Sequence, residues 1–231
     1  MNRSRKVLAV LAALVAAAYL GWRITYPGYE WRQKLTIEID TPDGPVSASS
    51  VAEVAWWATP KILPEASPRD WSVRAEAVVL RLPDGQYLFA LVGSAHLVAR
   101  AVLFDPLPKQ GDPYLVPASR MRRFDGETHD VPPKHYPLLV TFTDIADPTT
   151  VKRVDPDDLA ATFGPGVALK RITLEITDEA VTEGEVEAVL GWLRWSRERF
   201  LAAGGGENPL RAPDNSPVGY ETIGRTKFIR R

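Results

Sequence analysis

The chain has 231 residues, of which 45% are hydrophobic, and this length suffices for one domain with its own core. It has no cysteine, which excludes disulfides, thiolate nucleophiles, iron–sulfur clusters and zinc sites built on cysteine. The net charge is −1, but basic residues dominate the first 34 positions, so the remainder carries an acidic excess. Because phosphate binding needs a basic face, we expect no nucleic-acid partner.

Residues 1–26 have the pattern of a membrane-targeting segment. Three basic residues near the N-terminus precede an uncharged apolar run that ends at Trp22. If the Arg23 side chain reaches the interface, the segment extends through Tyr26 to about 20 residues, which is enough to span a bilayer. The predicted anchor residues are Val7, Leu8, Leu11, Leu14, Tyr19 and Trp22.

Two interpretations of this segment differ in whether it stays attached. The small residues that end at Ala18 fit a signal-peptide cleavage site. The tyrosines and tryptophans that follow are typical of a membrane interface and favour an uncleaved anchor. Arginine exceeds lysine and alanine is abundant, which we interpret as a bacterial coding bias. With the positive-inside rule, we predict a single-pass bacterial inner-membrane protein with its body in the periplasm, although basic residues after the run nearly balance those before it.

Residues 33–203 are predicted to form one soluble domain with a mainly antiparallel sheet. Apolar and polar residues alternate in its first strand, and Thr41-Pro42-Asp43-Gly44-Pro45 is a turn sequence that leads into the second. The predicted strands are 33–40, 46–58, 71–82, 86–92, 138–143 and 167–177.

Helical spacing and capping signals predict the remaining elements. A short helix follows Ser94, and Asp155 is expected to cap another that ends near Phe163. Thr182 and Glu185 form a capping box that opens a C-terminal helix through 203, and residues 204–231 are predicted to be a flexible tail. The predicted fold class is therefore α+β: an N-terminal transmembrane helix, one mainly antiparallel-sheet domain and a C-terminal helix.

Two stretches of the body resemble a known group of sequences. They are QKLTIEIDTPDGPVSASSVAEV at 33–54 and, more distinctively, TFTDIADPTTVKRVDPDDLAATFGPGVALKRITLEIT at 141–177. Both are similar to a recurring family of uncharacterised bacterial proteins with an N-terminal membrane anchor. The resemblance implies an export anchor and an α+β body, and it implies no activity.

The sequence contains no standard catalytic or metal-binding motif, so we predict no cofactor. The candidate metal ligands share one loop: His129, His135, Asp125 and Asp130. The spacing of the two histidines across a pair of prolines fits no known ligand motif, and a solvated polar loop is the favoured alternative. His96 is expected to be a partly buried structural histidine. The acids between 144 and 158 could form an acid–base pair, but helix capping is the favoured interpretation.

Tryptophans supply the candidate contact surface. Trp56 and Trp57 are adjacent on a predicted strand and therefore point to opposite faces, so one is expected to be buried. Trp192 and Trp195 share one face of the predicted C-terminal helix. Core packing is the simpler interpretation; the alternative is that Trp57, Trp192 and Trp195 contact a partner protein or the bilayer.

These features favour a membrane-anchored, non-enzymatic domain that binds another envelope component or supports its assembly. Two alternatives are a periplasmic hydrolase that uses the loop at 125–135 or the acids at 144–158, and a domain that binds an envelope carbohydrate or small ligand. Convergence of the two loop histidines with two acids would favour the hydrolase. An exposed apolar patch without a cleft would favour a partner protein, and a groove lined by Trp56 or Trp57 would favour a ligand.

Overall fold

The computed structural model describes residues 3–193 and 225–230. Within them the chain is α+β, with an N-terminal apolar helix and antiparallel sheets, which confirms the predicted fold class. The helices are α1 (Arg3–Thr25), α2 (Ala95–Leu103), α3 (Leu115–Ala118), α4 (Ala160–Phe163), α5 (Glu185–Val189) and α6 (Arg225–Phe228). The 3-10 turns are Met121–Phe124, Pro133–His135 and Pro148–Thr150. The strands are β1 (Gly28–Asp40), β2 (Val46–Ala58), β3 (Arg69–Glu76), β4 (Val78–Arg81), β5 (Tyr87–Ala90), β6 (Thr128–Asp130), β7 (Leu139–Phe142), β8 (Val151–Arg153), β9 (Ala168–Thr177) and β10 (Ile229–Arg230).

The strands form two sheets. The larger has the order β10-β3-β2-β1-β9-β6, and the smaller has the order β4-β5-β7-β8. The long β1–β2 hairpin forms the middle of the larger sheet and pairs Gly28 with Trp57 at one end and Ile39 with Val46 at the other. This register buries Ile37 and Ile39 in the main core while the polar residues between them face outward, as the alternation predicts.

The helix α1 is exposed from Val7 to Thr25. Residues Val7–Thr25 have a mean hydropathy of 2.0, and by length and composition this stretch can cross a membrane. The six predicted anchor residues are between 54% and 65% exposed, and they do not pack on the domain. A helix that is apolar all round and that no described residue covers needs an apolar environment, which supports association with a bilayer.

The predicted strand at 71–82 is instead two strands in different sheets. The strand β3 ends at Glu76 in the larger sheet, and β4 begins at Val78 in the smaller sheet. Between them Ala77 is buried, and its N–H donates to the carbonyl oxygen of Phe228 at 2.7 Å. The alternating pattern continues through this crossover, so periodicity alone does not reveal the change of sheet.

The predicted capping box is not formed, and the helix predicted after it is interrupted at Leu190. The Thr182 hydroxyl accepts a hydrogen bond from the Val51 N–H at 2.9 Å and caps no helix. The helix α5 begins after Gly184, whose φ of +89° suits glycine, and it has five residues. Leu190 leaves the helical region with φ −99° and ψ 69°. The rest of the prediction, including Trp195, lies outside the described residues.

The prediction of a flexible tail does not hold for residues 225–230. They form α6 and β10, and β10 pairs antiparallel with β3. Phe228 and Ile229 are buried in a second core between the smaller sheet and α5, where the Phe228 ring lies 6.0 Å from the rings of both Phe89 and Phe142. Two large apolar residues among basic ones were the signal for this element in the sequence.

Candidate functional site

A cavity of about 280 Å³ lies beneath α2. Its walls come from β1 and β2, from the crossover between β3 and β4, from the end of β5 and from the turn at 133–137. The apolar side of α2 faces this space, with Leu97 and Val98 as its main contributors. The lining is mostly apolar, which is typical of small-molecule sites.

Three buried polar side chains line the cavity among these apolar walls. Gln33, Ser50 and Glu76 are each no more than 4% exposed. The Gln33 amide donates to the Ala95 carbonyl at 2.8 Å and accepts from the Trp31 indole at 3.0 Å. This pair of bonds fixes the first turn of α2 against β1.

The Glu76 carboxylate links the cavity to α5. One oxygen accepts from the Gly184 N–H at 2.7 Å, and the other accepts from the Val186 N–H at 3.2 Å. The Ser50 hydroxyl donates to the Glu76 carbonyl at 2.7 Å. Burial of a carboxylate is tolerated here because backbone N–H groups at a helix start stabilise its charge.

Basic side chains surround the mouth of the cavity. Arg100, Lys134 and His135 all line it. Lys134 is exposed and forms an ion pair with Asp105 at 2.8 Å, which lowers the pKa of that carboxyl below its usual range. The buried Nε of Arg100 has no hydrogen-bond partner among the residues described. Glu76 is the only carboxylate among the described lining residues, and the Arg100 guanidinium lies 4.4 Å from the Tyr114 ring centroid.

An open groove lies on the other side of α2 and is lined by aromatic rings. We call it the aromatic groove; its ring residues are Trp56, Trp71, His96 and Tyr114, and Arg69 closes one side. The Trp71 and His96 rings stack in parallel at 3.8 Å. The Trp56 and Tyr114 rings stack at 4.7 Å, and the Arg69 guanidinium lies 4.2 Å from the Tyr114 ring centroid. One face of each ring is therefore already covered within the protein.

His96 is held neutral at physiological pH. Burial, together with the charges of Arg230 and Arg100, lowers its pKa to about 4. Its Nδ1 is buried and has no hydrogen-bond partner among the described residues. His96 is therefore partly buried, as expected, and its ring also forms part of the groove wall.

The structure does not bring the candidate metal ligands together. His129 lies on β6, where its Nε2 is 3.2 Å from a Glu127 oxygen, while His135 lines the cavity mouth. Asp125 lies 3.7 Å from Arg122. No three His, Asp or Glu side chains in residues 3–193 and 225–230 are placed to share a metal ion.

The acids between 144 and 158 close turns instead of forming a pair. The Asp144 carboxylate accepts from the Ala146 N–H, and that of Asp147 accepts from the Thr149 N–H, both at 2.9 Å. The helix predicted to begin after Asp155 begins only at Ala160, and its first turn is capped by Asp158, which accepts from the Ala161 N–H at 3.0 Å. Each of these three carboxylates therefore has a structural role.

The tryptophans divide between core and surface as follows. Trp56 is buried and Trp57 is half-buried on the opposite face, which confirms the alternation. The Trp192 indole donates to the Ile145 carbonyl at 2.9 Å, and its ring packs on Phe142 and Phe228. Trp192 thus belongs to the second core, which favours the simpler interpretation of that residue.

Comparison with protein-family models, with curated proteins and with solved structures finds no match to this chain. Of the two stretches quoted from the sequence, the first contains most of β1 and the second ends in β9, and these two strands pair in the larger sheet. Sequence reasoning did not identify the contributions of Arg69, Arg100 and Tyr114, which come from the start of β3, from α2 and from the residue before α3, and meet only in three dimensions.

Proposed function

We propose that this protein is a membrane-anchored, non-enzymatic binding domain of the bacterial envelope, whose ligand occupies the cavity beneath α2. The observation that carries the proposal is the cavity itself: apolar walls with a few fixed polar groups and a volume near the lower end for small-molecule sites.

The chemistry of the lining indicates the class of ligand. Apolar walls favour an apolar body, and the exposed Lys134 in the lining favours an acidic end. The buried Gln33, Ser50 and Glu76 already have hydrogen-bond partners, so they do not require a polar ligand body. An amphiphile with one apolar chain and one acidic group, such as a fatty acid, combines these properties.

The anchor helix gives this ligand class a source. Such molecules partition into bilayers, and α1 would hold the domain beside one. We propose that α1 spans the bacterial inner membrane and that the body lies in the periplasm, where it captures the ligand at the membrane surface. The apolar length of α1 and the basic residues at its N-terminus support this arrangement.

Native mass spectrometry of the full-length protein with added dodecanoate tests the binding site. We expect one bound dodecanoate per chain. The variant Ala101→Phe, which places a ring into the cavity from α2, should abolish binding. The matched control Ala161→Phe changes an exposed alanine on α4 and should bind normally. Equal binding by both variants, or none by the wild type, would contradict the proposal.

The aromatic groove supports a second candidate function, which is binding of an envelope carbohydrate. Aromatic rings beside Arg69, Thr59 and Ser67 resemble the mixture of apolar and hydrogen-bonding groups that a sugar requires. Titration with a soluble peptidoglycan disaccharide, followed by tryptophan fluorescence, tests it. Saturable quenching that is lost in Trp71→Ala would favour this function, and no change in fluorescence would eliminate it.

A further inference from the structure

The loop between β2 and β3, residues 59–68, exposes two adjacent aliphatic side chains. Ile62 is 84% exposed and Leu63 is 56% exposed. Outside α1, the only other large apolar side chain so exposed among the described residues is Leu107, at 40%. Single exposed apolar residues are common on soluble proteins. Two adjacent exposed apolar residues at a loop tip are less common, because neither side chain gains the free energy that burial would provide.

This loop lies at the end of the sheet where α1 joins it. The strand β1 begins at Gly28, which pairs with Trp57 just before the loop, and the Ala58 N–H donates to the Pro27 carbonyl at 2.9 Å. Two residues separate Thr25, the end of α1, from β1, so this end of the sheet lies within about 11 Å of the helix. The turn between β1 and β2 lies at the opposite end of a 13-residue strand, about 40 Å away.

The backbone of the loop is held in one shape. The Thr59 N–H donates to the Pro68 carbonyl at 2.9 Å and closes its base. Within it the Ile62 N–H donates to the Pro60 carbonyl at 3.0 Å, and the Ala66 N–H donates to the Leu63 carbonyl at 3.1 Å. The two aliphatic side chains are therefore displayed by a folded tip, at the end of the sheet that α1 joins.

We propose that this loop is a second membrane contact, which inserts Ile62 and Leu63 into the surface of the bilayer that α1 spans. Lys61, the preceding residue, is placed to meet anionic headgroups. The inference rests on the proposed anchoring by α1. With two attachment points instead of one, the domain has a fixed orientation on the membrane, and the aromatic groove, whose Trp56 and Trp71 flank the same loop, lies at the membrane-proximal end of the sheet.

The absence of cysteine from the chain makes the test direct, because a single introduced cysteine is the only site that a thiol-reactive dye labels. Three full-length variants are labelled with the dye NBD and reconstituted in nanodiscs that contain anionic phospholipid: Leu14→Cys in the middle of α1, Ile62→Cys in the loop, and Asp43→Cys in the distant β1–β2 turn. Quenching by lipids brominated in the acyl chain reports on the bilayer core. Quenching by lipids with a nitroxide headgroup reports on the surface.

We expect the acyl-chain quencher to act on position 14, the headgroup quencher to act on position 62, and neither to act on position 43. If position 14 is quenched and position 62 behaves like position 43, the loop contact is refuted while the anchor stands. If position 14 is not quenched, the anchor is refuted and the loop contact with it. Quenching at 62 that persists in neutral lipid but weakens several-fold supports the role assigned to Lys61.

Discussion

Replacing His96 with phenylalanine should change how the stability of the domain depends on pH. Phenylalanine keeps a planar ring against Trp71, where the His96 ring now stacks at 3.8 Å, but it cannot be protonated. In the folded protein the pKa of His96 is lowered from 6.5 to about 4. The unfolded chain therefore takes up this proton first as the pH falls, so the wild type loses stability between about pH 6.5 and pH 4 and has it in full above that range.

The size of this effect follows from the shift in pKa. One pKa unit corresponds to about 1.4 kcal/mol, so the full shift would correspond to about 3 kcal/mol. His96 is only half-buried, and solvent screens its interaction with the arginine charges, which reduces the expected loss to about 1–2 kcal/mol. At pH 7 the phenylalanine variant should be at least as stable as the wild type, because it removes a buried nitrogen that has no partner among the described residues.

Urea unfolding of both full-length proteins in the same detergent, followed by fluorescence at pH steps from 7 to 4, measures the difference. Other titrating groups are common to both proteins and cancel in that difference. We expect the free energy of unfolding of the wild type to fall relative to that of His96→Phe as the pH is lowered. Parallel curves over this range would refute the account of how burial and the arginines hold His96 neutral.

Three further substitutions should change the urea midpoint of the full-length protein at pH 7. Glu76→Ala leaves two buried N–H groups of α5 without their acceptor and should cost about 2–3 kcal/mol; a cost near zero would show that water replaces the carboxylate. Phe228→Ala should cost about 3–5 kcal/mol, because the ring is fully buried, whereas a flexible tail would tolerate the change freely. Gly166→Ala should cost more than Gly44→Ala, because both have positive φ but only the first would place a Cβ 2.9 Å from Pro42; equal costs would contradict the close approach.

The elements that the sequence predicted well are those in which one periodicity matches one burial pattern. The β1–β2 hairpin is the clearest example: its alternation, its turn sequence and its single buried face all specify the same register. The apolar helix α1 was likewise predicted, because its signal is the length and apolar composition of one continuous segment.

The failures occur where distant segments decide the structure. Alternation continues through Ala77, but the change of sheet there depends on a hydrogen bond to Phe228, far along the chain. The hydroxyl of Thr182 satisfies the β2 backbone instead of a helix end, because Glu76 supplies the acceptors for α5. Neither partner is local, so a capping motif read from neighbouring residues could not reveal it.

The candidate sites also divide into features that a local sequence pattern predicts and features that depend on contacts between distant segments. A groove lined by Trp56 is present, since strand alternation places that ring on the buried face beside Trp71, and a ligand for it stays a prediction. The cavity could not be predicted, because its polar residues look like ordinary strand positions until α2 covers them. The loop histidines are close in sequence, but the chain places one on β6 and the other at the cavity mouth.

Mass spectrometry of the small molecules that remain with the full-length protein, after purification from bacterial membranes in mild detergent, tests the central claim most directly. The wild type and Ala161→Phe should each retain close to one acidic, apolar-chain molecule per chain, and Ala101→Phe should retain none. An equal yield from all three proteins, or no retained molecule in the wild type, would contradict a ligand site beneath α2.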